Sequence, residues 1–553
     1  MSAASVLIPA ASLILLRAGT RTVEILMLKR SPKASAFAGT YVFPGGVLDA
    51  SDSEPQALRR LRGLTPEQAG ARLQLAPDTV AAGHWLAAVR ECFEEAGIVL
   101  AVDEQRRAPS AECLQRLQKS RAEVGYFFEA LEREGLFVAA DVMHYFAHWI
   151  TPPVQPRRFN TRFFLAEMPP RQECQIDGLE MVDAQWSSPK DMLEQERRGE
   201  LALGSMPTRR ILQELAEFVE PSAALAYAAA RSQVPENRPR VAQGRQGRRF
   251  FQRDEAAYAE IGWVDPEEGG QSSYELEADK PKRLDAHCTR VIAPNAGMMT
   301  GPGTNSYLIG EGSVAVIDPG PDDPQHVRAL LDAARGEVRW ILLTHTHRDH
   351  APAAATMRRL TGAEILGGGA VAGASGHVEL DFDRVLQDGE HLQLGALAVR
   401  AIRTPGHASN HVCYLLEATG MLFSGDHLVQ GFTVVIAPPD GNMRSYLESL
   451  ERLRAVGSRI VAPGHGFLIG EPQREIDRVI RHRLARERKV RRALHEQGGS
   501  ATLPSLLPHV YDDVPEALHA LAALSLRAHL DKLVEEAELT QVEGRWSVVN
   551  AVQ

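Results

Sequence analysis

Cysteine is scarce in this chain. The five thiols in 553 residues (Cys92, Cys113, Cys174, Cys288 and Cys413) are scattered, odd in number and never spaced C-x-x-C. That pattern excludes a cysteine zinc site and a disulfide framework, and it fits a reducing, cytoplasmic setting. Long apolar runs are also missing, so no segment is expected to span a membrane. The run from Val6 to Leu16 has no basic stretch before it, contains Pro9 and leads directly into the segment Val23 to Leu28. It is expected to open a domain as strands, not to act as a signal sequence. Net positive charge is absent as well. The formal charge of −10 argues against wholesale coating of nucleic acid, though not against a local basic patch. What remains is ordinary for a globular protein: 44% hydrophobic and 24% charged residues. At 553 residues the chain is too long for one core and predicts three or four domains.

The densest chemistry lies in Thr344-His345-Thr346-His347-Arg348-Asp349-His350, directly after the apolar run Trp340-Ile341-Leu342-Leu343. The run reads as a buried strand, which places the ligands in the turn at its C-terminal end. His345 and His347 alternate and can face one side of that turn, while Asp349 and His350 can reach a second ion. Matching ligands follow downstream: His407 in Thr404-Pro405-Gly406-His407, Asp426 in Ser424-Gly425-Asp426, and His465 in Pro463-Gly464-His465. Each has a glycine just before it, where the backbone must turn sharply. Five imidazoles and two carboxylates suit zinc, iron or manganese better than magnesium or calcium.

This pattern resembles the metallo-β-lactamase superfamily of hydrolases, which implies an αβ/βα sandwich with a two-metal site at its edge. The resemblance implies that His345, His347 and His407 hold the first metal. It places Asp349, His350 and His465 on the second, with Asp426 bridging and Asp318 orienting a ligand from behind. Paired ions of this kind stabilise both attacking and leaving oxygens. The aspartate at 426 separates the chain from the antibiotic-hydrolysing members. Gly301-Pro302-Gly303-Thr304-Asn305 and Pro405-Gly406-His407-Ala408-Ser409-Asn410-His411 are similar to the beta-lactamase-like protein 2 branch, which includes a single-strand RNA endonuclease.

A second constellation is Arg90-Glu91-Cys92-Phe93-Glu94-Glu95-Ala96-Gly97. Glu91, Glu94 and Glu95 share one helix face at i, i+3, i+4 spacing, an arrangement that a hard divalent cation such as magnesium or manganese makes favourable. With Phe43-Pro44-Gly45-Gly46 upstream, the segment resembles the Nudix box, interrupted by an insertion over residues 50–86. The interruption, and Arg157-Arg158-Phe159-Asn160-Thr161-Arg162, are similar to the branch typified by peroxisomal CoA diphosphatases. That resemblance implies an α/β/α sandwich cleaving a substituted diphosphate. Glu94 and Glu95 would be ligands, Glu91 a ligand or base, and Arg90 the residue that orients Glu91. Asp52 stands where the box has its first glutamate.

The organisation expected is therefore a multidomain α+β and α/β chain. It comprises a Nudix domain (5–221), a connector (222–286) with some β structure near Tyr258 to Val264, and a metallo-β-lactamase-fold domain (287–472). A basic helix and winged helix (473–550) follow, the latter read from two helical patterns (515–528 and 529–537) and two short strands joined by Glu543-Gly544-Arg545. Arg478, Arg481, Arg483, Arg486, Arg488, Lys489, Arg491 and Arg492 lie on that basic helix and can guide a polyanion. The function expected is a bifunctional metal-dependent hydrolase. It would cleave single-stranded RNA at one centre and a small-molecule diphosphate at the other, with two Zn(2+) (or Mn or Fe) in the first and Mg(2+) or Mn(2+) in the second. The alternatives are thioester or ester hydrolysis coupled to CoA metabolism, and a non-enzymatic RNA-binding scaffold.

Overall fold

The two apolar segments that open the chain are strands in the computed structural model, Leu7–Ala18 and Val23–Arg30. The structure describes residues 6–75, 79–121, 127–371 and 376–549. The outermost expected bounds, residues 5 and 550, lie outside them, as do 76–78 within the expected insertion. Contacts divide the chain into two units, Met1–Pro239 and Arg240–Gln553.

In the first unit, Leu7–Ala18 runs parallel to Arg158–Glu167 and antiparallel to Val23–Arg30 and Gly45–Val47. Because strand side chains alternate, this mixed sheet has two apolar faces. Leu13, Leu15, Leu26, Leu28 and Phe164 pack against Trp85, Val89 and Phe93 of the helix Thr79–Ala96. Ile14, Leu16, Ile25 and Phe163 pack against Ile211, Leu212, Ala224 and Ala228 on the other side. Each fully buried Leu, Ile or Phe side chain here contributes roughly 1.5–3 kcal/mol, and the result is the α/β/α sandwich expected. The segment expected as an insertion contains the helices Pro55–Leu58 and Pro66–Leu73. Its end, from Thr79, forms the first turns of the very helix that carries Glu91, Glu94 and Glu95.

In the second unit, two sheets face each other. One spans Lys282–Arg283 to Arg384–Val385, the other His391–Leu394 to Ile460–Pro463. Tyr307, Ile317, Leu342 and Leu366 from the first meet Val399, Tyr414, Phe423 and Ala462 from the second in one core. Helices cover the outer faces: Val327, Leu330 and Met357 lie on one side, Tyr446, Leu450, Ile476 and Val479 on the other. This is the αβ/βα sandwich.

Several details differ from the expectations. The stretch 222–286 is largely folded. Pro221–Ala229 is a helix of the first sandwich, and Arg240–Gly244 with Gly247–Phe251 forms a hairpin. Tyr258–Val264 is a helix, not a strand. Its Glu260 is fully buried against Arg290 and Lys282, a bond network that no local pattern announces. The two C-terminal helical patterns are a single helix, His519–Glu535, preceded by the short turn Glu516–Leu518. The strands Leu539–Val542 and Arg545–Val548 are joined by Glu543 and Gly544, both with positive φ. A third strand, Ser500–Thr502, completes the winged-helix sheet.

The basic helix, Pro472–Glu496, is not a free cationic stripe. Arg483 and Arg486 are buried, Arg478 pairs with Glu475, Lys489 with Asp512, and Arg491 with Glu487 and Glu538. Arg481 and Arg488 remain exposed. Among the described residues all five cysteines are free thiols, and no helix is long and apolar enough to cross a membrane.

Candidate metal centres

The strand Gly336–Leu342 ends in the buried Leu343-Thr344 step, and the chain then turns so that His345, His347, Asp349 and His350 converge. His407 arrives after Leu397–Arg403, Asp426 after Met421–Gly425, and His465 after Ile460–Pro463. The glycines ahead of them are needed for close approach. A Cβ at Gly464 would lie 2.7 Å from an Asp426 carboxylate oxygen, and one at Gly406 would lie 2.3 Å from the Tyr446 Cα.

All seven residues come together, in two groups. His345, His347 and His407 offer ligand atoms within 4.8 Å of one another, and so do Asp349, His350, Asp426 and His465. Asp426 faces both. Its Oδ1 is 3.3 Å from His350 Nε2 and 3.2 Å from His465 Nε2, while its Oδ2 is 3.7 Å from His407 Nε2. The His407 Nε2 and His347 Nδ1 atoms are 3.1 Å apart.

The imidazoles are held from behind. Thr344 Oγ1 donates to Asp318, so it accepts from His345 Nδ1 at 3.0 Å. His350 Nδ1 donates to Asp318 at 2.9 Å, His407 Nδ1 to the Val435 carbonyl at 2.9 Å, and His465 Nδ1 to the Gly303 carbonyl at 3.3 Å. Each such bond fixes a tautomer and leaves Nε2 aimed at the centre. Asp318 holds a left-handed φ of 48°, a conformation costing an aspartate on the order of 1–2 kcal/mol. Bonds from the Thr344 amide, the Thr344 hydroxyl and His350 to its carboxylate keep it there.

The donor set fits a pair of divalent ions. The buried atoms His345 Nε2, His350 Nε2, His465 Nε2 and Asp426 Oδ1 have no hydrogen-bond partner although they converge, and buried polar atoms are rarely left so. Burial and the neighbouring imidazoles hold His345 well below the usual histidine range and His347 down to about 3. Burial also opposes charge on His350 and His465, but the carboxylates of Asp349 and Asp426 overcome it. They raise His350 well above its ordinary value and His465 to about 9. The same pairing holds Asp349 and Asp426 low against the opposing effect of burial.

Sequence reasoning missed His377 and Asp440. His377 Nε2 lies 3.1 Å from Asp440 and its ring packs 4.5 Å from that of His347. With His347 the two form a third convergent group. Neither belongs to a motif, and 62 residues separate them, so no sequence signal was available.

In the first unit the Nudix-box residues also gather. Arg90 donates from Nε and one terminal nitrogen to Asp52 at 2.8 and 3.0 Å, and from the other to Glu94 at 2.8 Å. It also pairs with Glu91 at 3.0 Å. Gly46 lies directly over Glu91, where a Cβ would come within 2.4 Å of the carboxylate. Glu95 is buried and accepts from the Gly45 amide at 2.9 Å. Gly97, at φ 69°, ends the helix. Burial pushes the Glu91 carboxyl up to about 7 despite Arg90, and it also raises Glu94 and Glu95.

The sandwich and its histidine–aspartate centre are those of a metal-dependent hydrolase. Residues 299–465 match the Metallo-beta-lactamase superfamily, residues 53–207 the NUDT19 Nudix domain, and residues 502–546 the beta-lactamase associated winged helix domain. The chain is 32% identical to the Beta-lactamase-like protein 2 homolog of Drosophila melanogaster, over 46% of this chain and 91% of that protein. It is 30% identical to the Lactamase-like protein nscB of Neosartorya fischeri, over 48% of this chain and 85% of that one. It is 27% identical to the Atrochrysone carboxyl ACP thioesterase of Aspergillus fumigatus, over 42% and 76%. The chain belongs to the metallo-beta-lactamase superfamily, in a form fused to a Nudix domain.

Proposed function

We propose that the chain is a bifunctional hydrolase whose C-terminal centre cleaves thioesters and whose N-terminal centre cleaves CoA-like or nucleoside diphosphate derivatives. The observation that carries the first half is Asp426, with one carboxylate oxygen toward each ligand group. His345, His347 and His407 would hold one ion and Asp349, His350 and His465 the other, with Asp426 shared between them. Divalent ions there supply Lewis acidity and an acidified water. The anchored Nδ1 atoms keep the ligands in register without reorganisation.

The choice of a thioester over RNA rests on the long helix. Arg478, Arg483, Arg486 and Arg491 are engaged in internal bonds, which thins the cationic track that favoured a polyanion to the exposed Arg481, Arg488 and Arg492. A thioesterase among the relatives and the fused diphosphatase-like domain support the same choice. RNA cleavage remains the second reading because of the similarity to the beta-lactamase-like protein 2 relative. At the N-terminal centre Glu94 and Glu95 would be ligands for Mg(2+) or Mn(2+). Glu91, raised to about 7, is suited to accept a proton from water near neutral pH. Arg90 orients these carboxylates.

The deciding assay offers zinc- or manganese-loaded protein an acyl-CoA thioester beside fluorescent single-stranded RNA, with Asp426→Ala as control. Thioester cleavage lost in the variant, with RNA intact, is expected. RNA cleavage that weakens steeply with salt and is lost in the variant would overturn the thioester reading.

A further inference from the structure

Three consecutive positions of the segment 430–441 are bonded to three different parts of the second unit. The Val434 carbonyl accepts from the Arg483 guanidinium. The Val435 carbonyl accepts from His407 Nδ1 at 2.9 Å. The Ile436 amide donates to Ser525 Oγ at 3.3 Å. Arg483 belongs to the helix Pro472–Glu496 and Ser525 to the helix His519–Glu535. Both side chains are buried, at 2% and 5% exposure, so neither bond is exchanged readily with water. The side chains of Val434 and Ile436 pack into one cluster with Ile476, Val479, Ile480 and Ala528 from the same two helices. The carbonyl that anchors His407 is thus pinned on either side by the C-terminal helices.

His407 differs in this from the other anchored ligands. His345 leans on Thr344, His350 on Asp318 and His465 on Gly303, all in the sandwich itself. An imidazole whose N–H donates to a fixed carbonyl has its ring orientation set by that carbonyl, and a shift of the carbonyl turns the ring.

We propose that the C-terminal helices position His407 through this strap, so that occupancy of the His345–His347–His407 group depends on Arg483 and Ser525. Occupancy of the Asp349–His350–His465 group does not. The inference rests on the reading of His407 as a ligand. Arg483 and Ser525 are positioning residues, remote from substrate. On this account the C-terminal module is part of the metal centre as well as a neighbour of it.

The test is calorimetric titration of the metal-free full chain with Zn(2+), with excess Mg(2+) present to occupy the carboxylates of the first unit. Ser525→Ala and Arg483→Met are expected to weaken one zinc site by about 10–100-fold, the usual range for outer contacts of a ligand, and to leave the other unchanged. Ser525→Thr, which keeps the hydroxyl, is expected to restore it. Leu533→Ala makes a cavity in the same helix, away from the strap, and is expected to lower the Tm while leaving both zinc affinities intact. Where Arg483→Met does not fold, the two serine variants decide. Wild-type affinity at both sites in Ser525→Ala, equal weakening of both sites, or weakening by Leu533→Ala would each overturn the proposal. His407→Ala separates the levels. If it loses one zinc while Ser525→Ala keeps both, only this inference fails; if it keeps both, the ligand reading fails with it.

Discussion

The two candidate centres solve the problem of gathering like groups in opposite ways. In the second unit, candidate ligands come from four separate loops, and four of the five imidazoles, all but His347, are each braced by a bond to a carbonyl, hydroxyl or carboxylate. In the first unit, three carboxylates share one helix face and a single guanidinium, Arg90, holds two of them together with Asp52. Distributed bracing confines the loss of one brace to the ligand it holds. A single clamp does not, and its carboxylates stay raised until a cation arrives.

The largest effects should come from the ligands themselves. Asp426→Ala and His347→Ala are each expected to abolish hydrolysis at the C-terminal centre, a loss beyond the about 10–100-fold of an outer contact, with diphosphate cleavage retained. Glu91→Gln is expected to lower the diphosphatase kcat by about 10²–10⁴-fold without touching the other activity. Asp318→Asn, which removes charge but not shape behind His350 and Thr344, should weaken zinc by about 10–100-fold in a titration, while circular dichroism stays unchanged.

The smallest effect on chemistry, and a larger one on folding, concerns Glu260. Burial opposes its charge, but Arg290 and Lys282 hold its pKa down from an ordinary 4.5 to about 2. A depressed carboxylate stabilises the fold above pH 4.5, and that stability is lost as pH falls from 4.5 toward 2. The contribution is on the order of 3 kcal/mol. Denaturant melts of wild type and Glu260→Gln should therefore differ at pH 7 and converge in acid. A difference that persists unchanged at low pH would contradict the assignment.

Much of this was legible in the sequence, for definite reasons. The candidate metal ligands of the second unit sit in loops directly after apolar strands, so H-x-H-x-D-H and the later Gly-His and Gly-Asp pairs mark both the residue and its place. The carboxylate helix was legible for its i, i+3, i+4 spacing. The interrupting segment hid how Asp52 reaches Arg90, because that contact spans 38 residues. The helix Tyr258–Val264 and its buried glutamate were not legible, since only the distant Arg290 and Lys282 make a carboxylate acceptable there. Nor was the fate of the basic helix. Its charge pattern is the same whether the arginines face water or, like Arg483 and Arg486, turn inward to carbonyls of Val434 and Val510.

The most direct test of two independent centres measures both activities in the full-length chain and in two single variants, Asp426→Ala and Glu94→Gln. The account predicts that Asp426→Ala loses only thioester hydrolysis and Glu94→Gln only diphosphate cleavage. A single substitution that removed both activities, with the fold intact, would contradict it.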